Sequence, residues 1–369
     1  MRILEVCVDL DGGGIDRYLL NYCSRIPHVQ FDFAIIDSNK TGILEAQIEA
    51  LGSKIFRIPR QRAGLQKNYN ALKKILTENR YDAVHVHLGY RSAVALLCAK
   101  RCGIKTRIAH AHIASETEDV ISKIIRKGST LLVRTLATHL AACGEDAAKW
   151  VWGEHIYRKG KVQIHNNAVD TQQFRFHQDI RSKKRKELGI DEDTLVVGHV
   201  GRLCAQKNQE RLLEIFYQIQ NIKENAKLFL VGRGEDENKL LCKIRELGIE
   251  KKIVFLGVRS DVEDLLNAFD VFVFPSIYEG LPFTLIETQS NGLQAISSDA
   301  VTQEVAMCDC VRFLPLEASN EQWAVAAIEA AEKGRELTAW QQVRDAGYDI
   351  DTEAKHLLAY YKKCVGDTK

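Results

Sequence analysis

The chain has 369 residues, of which 46% are hydrophobic and 27% charged, and its 51 Lys and Arg against 49 Asp and Glu give a formal net charge of +2. This composition is that of a globular protein, and it excludes a disordered chain, a collagen-like repeat and a small disulfide scaffold. The charge balance is too even for a dedicated nucleic-acid binder. The length predicts two domains of about 150 residues each.

Short apolar runs alternate with amphipathic segments through the first half of the chain. Strands are predicted at residues 3–8, 31–36, 83–87 and 106–110, and helices at 16–25 and 121–140. Strands that are separated by helices pair in parallel through right-handed crossovers. The pattern therefore predicts a doubly wound α/β domain over residues 1–175.

The same alternation begins again after a polar stretch at residues 171–193, where we place the domain boundary. Strands are predicted at residues 194–200, 227–231, 253–256, 271–274 and 294–297, with a helix at 209–220. These elements predict a second doubly wound domain over residues 176–350. A last helix is placed within 351–369, and in this fold class such a helix often packs back on the first domain. We expect two Rossmann-like domains that face each other across a cleft, with ligands beyond the carboxyl ends of the strands.

A turn with three consecutive glycines, Gly12 to Gly14, follows the first predicted strand. Glycine allows backbone N–H groups to approach a phosphate or a sugar at the start of a helix. Arg17 occupies the third glycine position of the G-x-G-x-x-G fingerprint, so a nicotinamide dinucleotide site is not indicated. A turn that binds no ligand is the alternative interpretation.

Two pairs of histidines lie on neighbouring predicted strands, His85 with His87 and His110 with His112. Residues i and i+2 of a strand face the same side, so each pair could contribute two ligands to a zinc ion. No third ligand is evident from the spacing, and we predict no metal site. The alternatives are hydrogen-bonded histidines in the core, or one histidine that binds a sugar or moves a proton. We attribute three D-x-D patterns in the chain to coincidence.

The second half carries cations and carboxylates at predicted strand ends. Arg202 and Lys207 lie in one loop before a helix, where two cations beside the positive end of a helix dipole would bind an anion. Glu279 and Glu287 are eight positions apart, with Glu279 before a helix that Pro282 opens and Glu287 more than one turn along it. Carboxylates of this kind accept hydrogen bonds from sugar hydroxyls. The alternatives are solvated side chains, and for Glu287 a capping box with Thr284.

The ten cysteines include no C-x-x-C pair, which indicates reduced thiols in a cytoplasmic protein. No stretch approaches the ~18 apolar residues of a transmembrane helix. The predicted helix at 121–140 interleaves apolar residues with four basic ones, so it could contact anionic lipid. An ordinary surface helix is the alternative. The basic residues are Lys123, Arg126, Lys127 and Arg134.

Taken together, these motifs resemble glycosyltransferase family 4, the retaining enzymes with the GT-B fold. The segment Gly201-Arg202-Leu203 with Lys207-Asn208 resembles the diphosphate-binding segment of that family, and Glu279 to Glu287 resembles its E-x₇-E motif with Gly-Leu-Pro-Phe inside it. The turn at residues 166–170 is similar to the family's Asn-Gly-Ile/Val-Asp turn, with Ala168 in place of glycine. The glycine turn and the segment Arg107 to His112 resemble members that build bacterial capsule or exopolysaccharide.

The resemblance implies a role for each matching residue. Arg202 and Lys207 would bind the donor diphosphate, and Glu287 the ribose hydroxyls. Glu279 would hold the transferred sugar, and His112 would lie near the sugar and the acceptor. The remaining implied donor contacts are Gly13 and Gly14 at the phosphates or acceptor, Arg259 near the base, and Gly280, Leu281, Pro282 and Phe283 at the sugar. The family needs no metal, and no cofactor is expected.

We therefore expect a retaining, metal-independent hexosyltransferase that uses a nucleotide sugar, UDP-linked in our reading, and a lipid-linked saccharide acceptor. It would act in surface polysaccharide biosynthesis, in the cytoplasm and at the inner face of the membrane. Two alternatives remain at this point: an epimerase or hydrolase of the same fold, and a non-catalytic scaffold that binds a sugar nucleotide. An epimerase would consume donor without acceptor, and a scaffold would bind donor without turnover.

Overall fold

The computed structural model describes residues 1–38, 40–113 and 120–366. The chain divides into two compact units, Met1–Ala168 with Ile350–Lys369, and Val169–Asp349. The second unit begins at Val169, a few residues before the predicted boundary between 175 and 176. The reason is that the polar stretch interpreted as a linker belongs to the second unit.

The first unit is built on a parallel sheet, as the sequence predicts. In the described part of the chain it has seven strands in the order β3-β2-β1-β4-β5-β6-β7. The strands are β1 Arg2–Val6, β2 Gln30–Ile36, β3 Ile55–Ile58, β4 Ala83–Val86, β5 Thr106–Ala111, β6 His139–Ala142 and β7 Val162–Ile164. Helices cover both faces, so even the histidines of the central strands are buried.

Among its described residues, the first unit has seven α-helices before the second unit begins. They are α1 Gly14–Arg25, α2 Glu45–Ala50, α3 Leu65–Glu78, α4 Ala93–Arg101, α5 Val120–Leu136, α6 Glu145–Trp152 and α7 Glu154–Arg158. The predicted helix over 121–140 is too long at its end, because Thr138 pairs with the backbone of Arg107 on β5 and the chain turns there into β6. No helix among the described residues is long and apolar enough to cross a bilayer.

The second unit repeats the architecture. Its described residues form six parallel strands in the order β10-β9-β8-β11-β12-β13. They are β8 Leu195–Val200, β9 Ala226–Val231, β10 Ile253–Gly257, β11 Val271–Phe274, β12 Ala295–Ser298 and β13 Val311–Leu314. Its helices are α8 Gln178–Glu187, α9 Gln209–Ile222, α10 Glu237–Leu247, α11 Val262–Ala268, α12 Phe283–Ser290, α13 Asn320–Lys333 and α14 Ala339–Val343.

Helix α8 corrects the interpretation of residues 171–193 as a linker. Two of its basic side chains are not solvated: Lys184 and Arg185 are buried and form ion pairs with Asp261 and Asp270 of the second unit. Charge runs of this kind are usually exposed, and only the tertiary partners reveal that this one is packed.

The last helix, α15 Ile350–Gly366, belongs to the first unit and packs on α1. Its Tyr361 is buried, with its ring beside β1 and β4, and the carbonyl of Cys364 accepts a hydrogen bond from Thr106 on β5 at 3.2 Å. The first unit therefore includes a helix that lies some 350 residues away from β1 in the chain and packs beside its sheet.

Candidate active site

The carboxyl edge of the second sheet brings two loops together. The loop after β8 holds Arg202 and Lys207, and the loop after β11 holds Glu279. Because β8 and β11 are parallel neighbours, their ends meet at the same edge. These loops are separated by about 70 residues in the sequence, and the strand order alone makes them adjacent.

Lys207 and Glu279 form an ion pair at this edge. Lys207 Nζ lies 2.6 Å from Glu279 Oε1, and the two side chains are only 15% and 10% exposed. The ammonium also lies 4.7 Å from the centre of the Phe274 ring, a cation–π contact. The shielding from water strengthens the field of both groups, so the pair places a fixed cation and a fixed hydrogen-bond acceptor side by side.

Three hydrogen bonds join the two loops. Asn208 has a left-handed backbone, with φ of 55°, and its side-chain amide donates to the carbonyl of Pro275 at 3.1 Å. Gln206 donates to the carbonyl of Tyr278 at 3.0 Å and accepts at 2.8 Å from the backbone N–H of Ile277. Asparagine tolerates this conformation better than most residues, and the bonds hold Lys207 at a fixed distance from Glu279.

A buried histidine and a glutamine form hydrogen bonds that hold the backbone of the loop after β8. Burial lowers the pKa of His199 to about 4, so the ring is neutral. Its Nδ1–H donates to the carbonyl of Val273 at 2.9 Å, which leaves Nε2 to accept from Gln209 at 3.2 Å. Gln209 also donates to the carbonyl of Arg202 at 2.8 Å. Sequence reasoning missed His199, Gln209 and Phe274. The available signals were the position of His199 and Phe274 near strand ends and that of Gln209 at the start of α9.

Arg202 differs from Lys207 in its surroundings. Its side chain is 71% exposed and pairs with Glu235 at 3.0 Å. An exposed pair of this kind is weak, so the guanidinium can exchange Glu235 for another anion at low cost. The loop therefore contains one cation that a shielded ion pair fixes in place, Lys207, and one that can change its partner, Arg202.

The segment after Glu279 leads into α12. Pro282 is the N-cap of this helix, Leu281 and Phe283 are buried, and Glu287 is buried on the second turn. The capping-box interpretation of Thr284 and Glu287 is wrong, because Thr284 lies inside the helix, where its carbonyl accepts from the hydroxyl of Thr288. The second carboxylate of the E-x₇-E pattern thus lies along the helix rather than at its end.

Arg259 follows β10, the edge strand on the far side of β9 from β8. Its guanidinium donates to both oxygens of Asp261 at 2.7 and 2.6 Å. This contact, together with Lys184, holds the pKa of Asp261 well below its usual range. In the structure Arg259 belongs to an ion-pair cluster with α8.

The glycine turn of the first unit is hydrogen-bonded to a carboxylate of the helix that follows it. The backbone N–H groups of Gly12 and Gly13 donate to Asp16 Oδ2 at 3.0 and 2.9 Å, and Gly14 is the first residue of α1. Burial, with Asp9 nearby, raises the pKa of Asp16 to about 7. Two of the N–H groups that could approach a ligand are thus satisfied within the chain.

Three buried histidines of the first unit lie in one cluster. His85, His87 and His110 have ligand atoms within 4.8 Å of one another, close enough to hold a metal ion. The sequence showed no third ligand, because the pairing of β4 with β5 is what supplies it. The rings also contact two groups that sequence reasoning missed: Glu5 on β1 and Tyr361 on α15. The acid inside the apolar run of β1 was the available signal.

Comparisons with known proteins agree with this arrangement. The family model "Glycosyltransferase Family 4" matches residues 12–173, and "Glycosyl transferases group 1" matches residues 180–342. EpsF of Bacillus subtilis (strain 168), whose name assigns it provisionally to the glycosyltransferases, is 29% identical over 98% of this chain and 96% of its own length. AmsD of Erwinia amylovora, a glycosyltransferase of amylovoran biosynthesis, is 24% identical over 92% of this chain and 94% of its own.

Two further relatives carry more specific names. The UDP-Gal:α-D-GlcNAc-diphosphoundecaprenol α-1,3-galactosyltransferase of Escherichia coli is 27% identical over 78% of this chain and 76% of its own length. The crystal structure of HepE from Anabaena, in complex with UDP-glucose, matches 98% of this chain and 100% of its own with a TM-score of 0.80, at 19% identity. Among other solved structures, the lipopolysaccharide glycosyltransferase WaaG matches with a TM-score of 0.71.

Proposed function

Because this chain is a family 4 glycosyltransferase with the GT-B fold, of the kind found in bacterial exopolysaccharide and capsule biosynthesis, we propose that it is a retaining, metal-independent hexosyltransferase. Its donor is a UDP-linked hexose, and its acceptor is a lipid-linked saccharide. The observation that carries this proposal is the shielded pair of Lys207 and Glu279 at the carboxyl edge of the second sheet.

The chemistry of sugar transfer explains why a fixed cation is needed at this site. Departure of a nucleoside diphosphate leaves negative charge on the oxygen that breaks from the sugar. A fixed cation that is shielded from water stabilises this charge more in the transition state than in the ground state. Lys207 takes this role, and the exposed Arg202 exchanges Glu235 for the diphosphate. Two cations at the diphosphate supply the charge that a divalent ion would otherwise supply.

The carboxylates account for sugar recognition. Glu279 is an acceptor for sugar hydroxyls, and the backbone of Gly280, Leu281, Pro282 and Phe283 continues the same surface. Glu287 binds the ribose, and Arg259 lies near the base. In the first unit, Gly13 and Gly14 contact phosphate or acceptor, with the Gly13 N–H exchanging Asp16 for the ligand. His112 contacts the sugar and the acceptor.

The choice of substrates is supported by relatives. The E. coli relative uses UDP-galactose and an acceptor on diphosphoundecaprenol, and HepE binds UDP-glucose. A lipid-linked acceptor is present only at a membrane, which leads to the proposal that this protein acts at the cytoplasmic face of one.

Helix α5 is the surface that we propose for membrane association. Val120, Ile121, Ile124 and Ile125 are each at least 59% exposed, and Lys123 and Lys127 are exposed among them. Apolar side chains interleaved with cations are typical of helices that lie in the interface of an anionic bilayer.

Calorimetry with UDP, GDP and ADP in the presence of a chelator tests the donor site. We expect UDP to bind, and Lys207→Ala to weaken that binding about tenfold or more, since a hydrogen bond to a charged group contributes ~1.5–3 kcal/mol. Lys239→Ala is the matched control, because Lys239 is 61% exposed and pairs with Glu210 in the same unit. We expect this control to change affinity by less than about twofold.

Two results would contradict the proposal. Equal UDP affinity of Lys207→Ala and the unaltered protein would remove Lys207 from the diphosphate site. Binding that appears only after a divalent ion is added would show that the site depends on metal. Thermal unfolding of each variant without nucleotide confirms that the fold is intact.

A further inference from the structure

Three neighbouring strands of the second sheet are followed by an arginine at the same offset. Arg202, Arg233 and Arg259 each lie two positions after the last residue of their strand, which is β8, β9 or β10. Because these strands are parallel neighbours, the three arginines lie along the carboxyl edge that also carries Lys207. Neighbouring strands are about 4.8 Å apart, so the arginine row extends about 10 Å along this edge.

Two members of the arginine row are neutralised by acids of the protein. Arg202 pairs with Glu235 at 3.0 Å, and Arg259 pairs with Asp261 at 2.6 Å. The side chain of Arg233 is exposed, and its guanidinium forms no hydrogen bond or ion pair within the described part of the chain. The middle of the row therefore carries a positive charge that no described acid matches, and such a charge at a ligand-binding edge favours an anion.

The backbone of Arg233 is fixed by the turns on both sides of it. Its carbonyl accepts from the N–H of Leu203 at 3.1 Å, and the N–H of Gly232 donates to the carbonyl of Gly257 at 2.8 Å. A Cβ atom on Gly234 would overlap the carbonyl oxygen of Leu203, so this close approach requires glycine. The place of Arg233 beside the loop after β8 is thus set by backbone contacts, although its side chain is exposed.

The side chain of Arg233 follows the edge of the sheet toward β10. Its Nε and Nη2 atoms lie 3.5 and 3.7 Å from the position that a Cβ atom of Gly257 would occupy. Gly257 is the last residue of β10 and has no side chain, so the space beside the guanidinium is open. The guanidinium is therefore accessible to a ligand that lies across the ends of β8, β9 and β10.

The proposed function places the parts of the donor along this edge in a definite order. The oxygen that breaks from the sugar belongs to the β-phosphate, so Lys207 and Arg202 serve that end of the diphosphate. The base lies near Arg259, after β10. The α-phosphate, which is bonded to the nucleoside, falls between these two ends and so in front of β9. A guanidinium can donate to two phosphate oxygens at once, which a free Arg233 is able to do.

We propose that Arg233 binds the α-phosphate of the nucleotide donor, whereas Lys207 serves the β-phosphate. The identity of the ligand rests on the proposed function, but the arginine row and the unmatched charge of Arg233 do not. The diphosphate is then held by cations from two successive strand ends. A nucleoside monophosphate retains one of these two contacts, and a nucleoside retains neither.

Calorimetry with UDP, UMP and uridine in the presence of a chelator distinguishes the two phosphates, with the weaker ligands measured by displacement of UDP. Arg233→Ala should weaken UDP and UMP by the same factor, about tenfold, since both carry the α-phosphate. Uridine affinity should change by less than about twofold. Lys207→Ala should weaken UDP more than UMP, because UMP has no β-phosphate.

Arg312→Ala is the matched control for Arg233→Ala. Arg312 is an exposed arginine of the same sheet, but it lies on β13 at the opposite edge and pairs with Glu329. Its removal should change the affinity for each of the three ligands by less than about twofold. Thermal unfolding without nucleotide checks the fold of each variant, and we expect no change for Arg233→Ala because the side chain is exposed.

Three results would overturn the inference. They are an unchanged UDP affinity in Arg233→Ala, a loss for UDP without a loss for UMP, which would place Arg233 at the β-phosphate, and an equal loss for uridine, which would place it at the base or ribose. Sugar transfer by a protein whose Arg233→Ala variant binds UDP normally would overturn this inference alone. The expected binding pattern without transfer to any acceptor would leave the α-phosphate contact standing and refute the proposed function. Absence of binding by all three ligands would refute both.

Discussion

Lys207 and Glu279 neutralise each other in the free protein, at 2.6 Å and largely out of water. A diphosphate that binds Lys207 competes with this carboxylate for the same ammonium. Under the proposed function, the pair holds the lysine in place before the donor arrives, and Glu279 becomes available to the sugar as the diphosphate takes the cation.

Glu279→Gln should separate nucleotide binding from turnover. Without the competing carboxylate, UDP should bind at least as tightly as it does to the unaltered protein. Transfer should fall about 100-fold or more, since one lost contact to the transition state often costs ~3 kcal/mol. Calorimetry with UDP and initial rates of transfer measure the two effects on one preparation.

Glu210→Gln is the control for that variant, because Glu210 is an exposed acid that pairs with Lys239 on the same unit. It should change neither quantity. A loss of UDP affinity in Glu279→Gln as large as its loss of rate would show that the carboxylate acts on the nucleotide rather than on the sugar.

At the scale of single residues, sequence reasoning identified both members of the pair but not their contact. Lys207 and Glu279 were each weighed separately, since each alone reads equally well as a solvated charge. Their adjacency depends on β8 lying next to β11, and the contact of Glu5 with His87 depends in the same way on β1 lying next to β4. Strand order is a property of the tertiary structure, and no local sequence pattern encodes it.

At the scale of elements, three of the four described strands that the sequence missed have a common physical cause, and the fourth, β6, begins inside the helix predicted over 121–140. β3, β7 and β13 lie at sheet edges, and each carries a charged or polar residue: Arg57, Gln163 and Arg312. An edge strand is solvated on one side, so its sequence lacks the continuous apolar run that marks central strands such as β9 and β11.

Helix α5 carries the prediction that belongs to this scale. The double variant Ile121→Ser with Ile124→Ser should weaken binding to vesicles of phosphatidylcholine and phosphatidylglycerol at least about tenfold, since each side chain would lose roughly 1 kcal/mol of partial burial. Co-sedimentation at low salt measures the bound fraction, and binding should fall as salt is raised.

Leu337→Ser is the control for the helix, because Leu337 is 62% exposed and lies in the second unit. Its binding should match that of the unaltered protein. Absence of vesicle binding by the unaltered protein at low salt would count against α5 as a membrane contact and leave the donor site unaffected.

At the scale of the molecule, the two parallel α/β units follow from the length and from the repeated alternation of strands and helices. The division between them could not be read from composition, because the basic run in α8 resembles a solvated linker until its partners Asp261 and Asp270 are known. The last helix shows the same limit: nothing local in residues 350–366 indicates that Tyr361 contacts Glu5.

The most direct test of the central claim is transfer of labelled hexose from a UDP-sugar to a synthetic polyprenyl-diphosphate-linked N-acetylhexosamine, with a chelator present. The account predicts a labelled lipid product whose new linkage keeps the anomeric configuration of the donor, and a donor that is stable when the acceptor is withheld. Donor that is isomerised or hydrolysed equally well without acceptor would contradict it, as would tight UDP binding with no turnover against any lipid-linked saccharide.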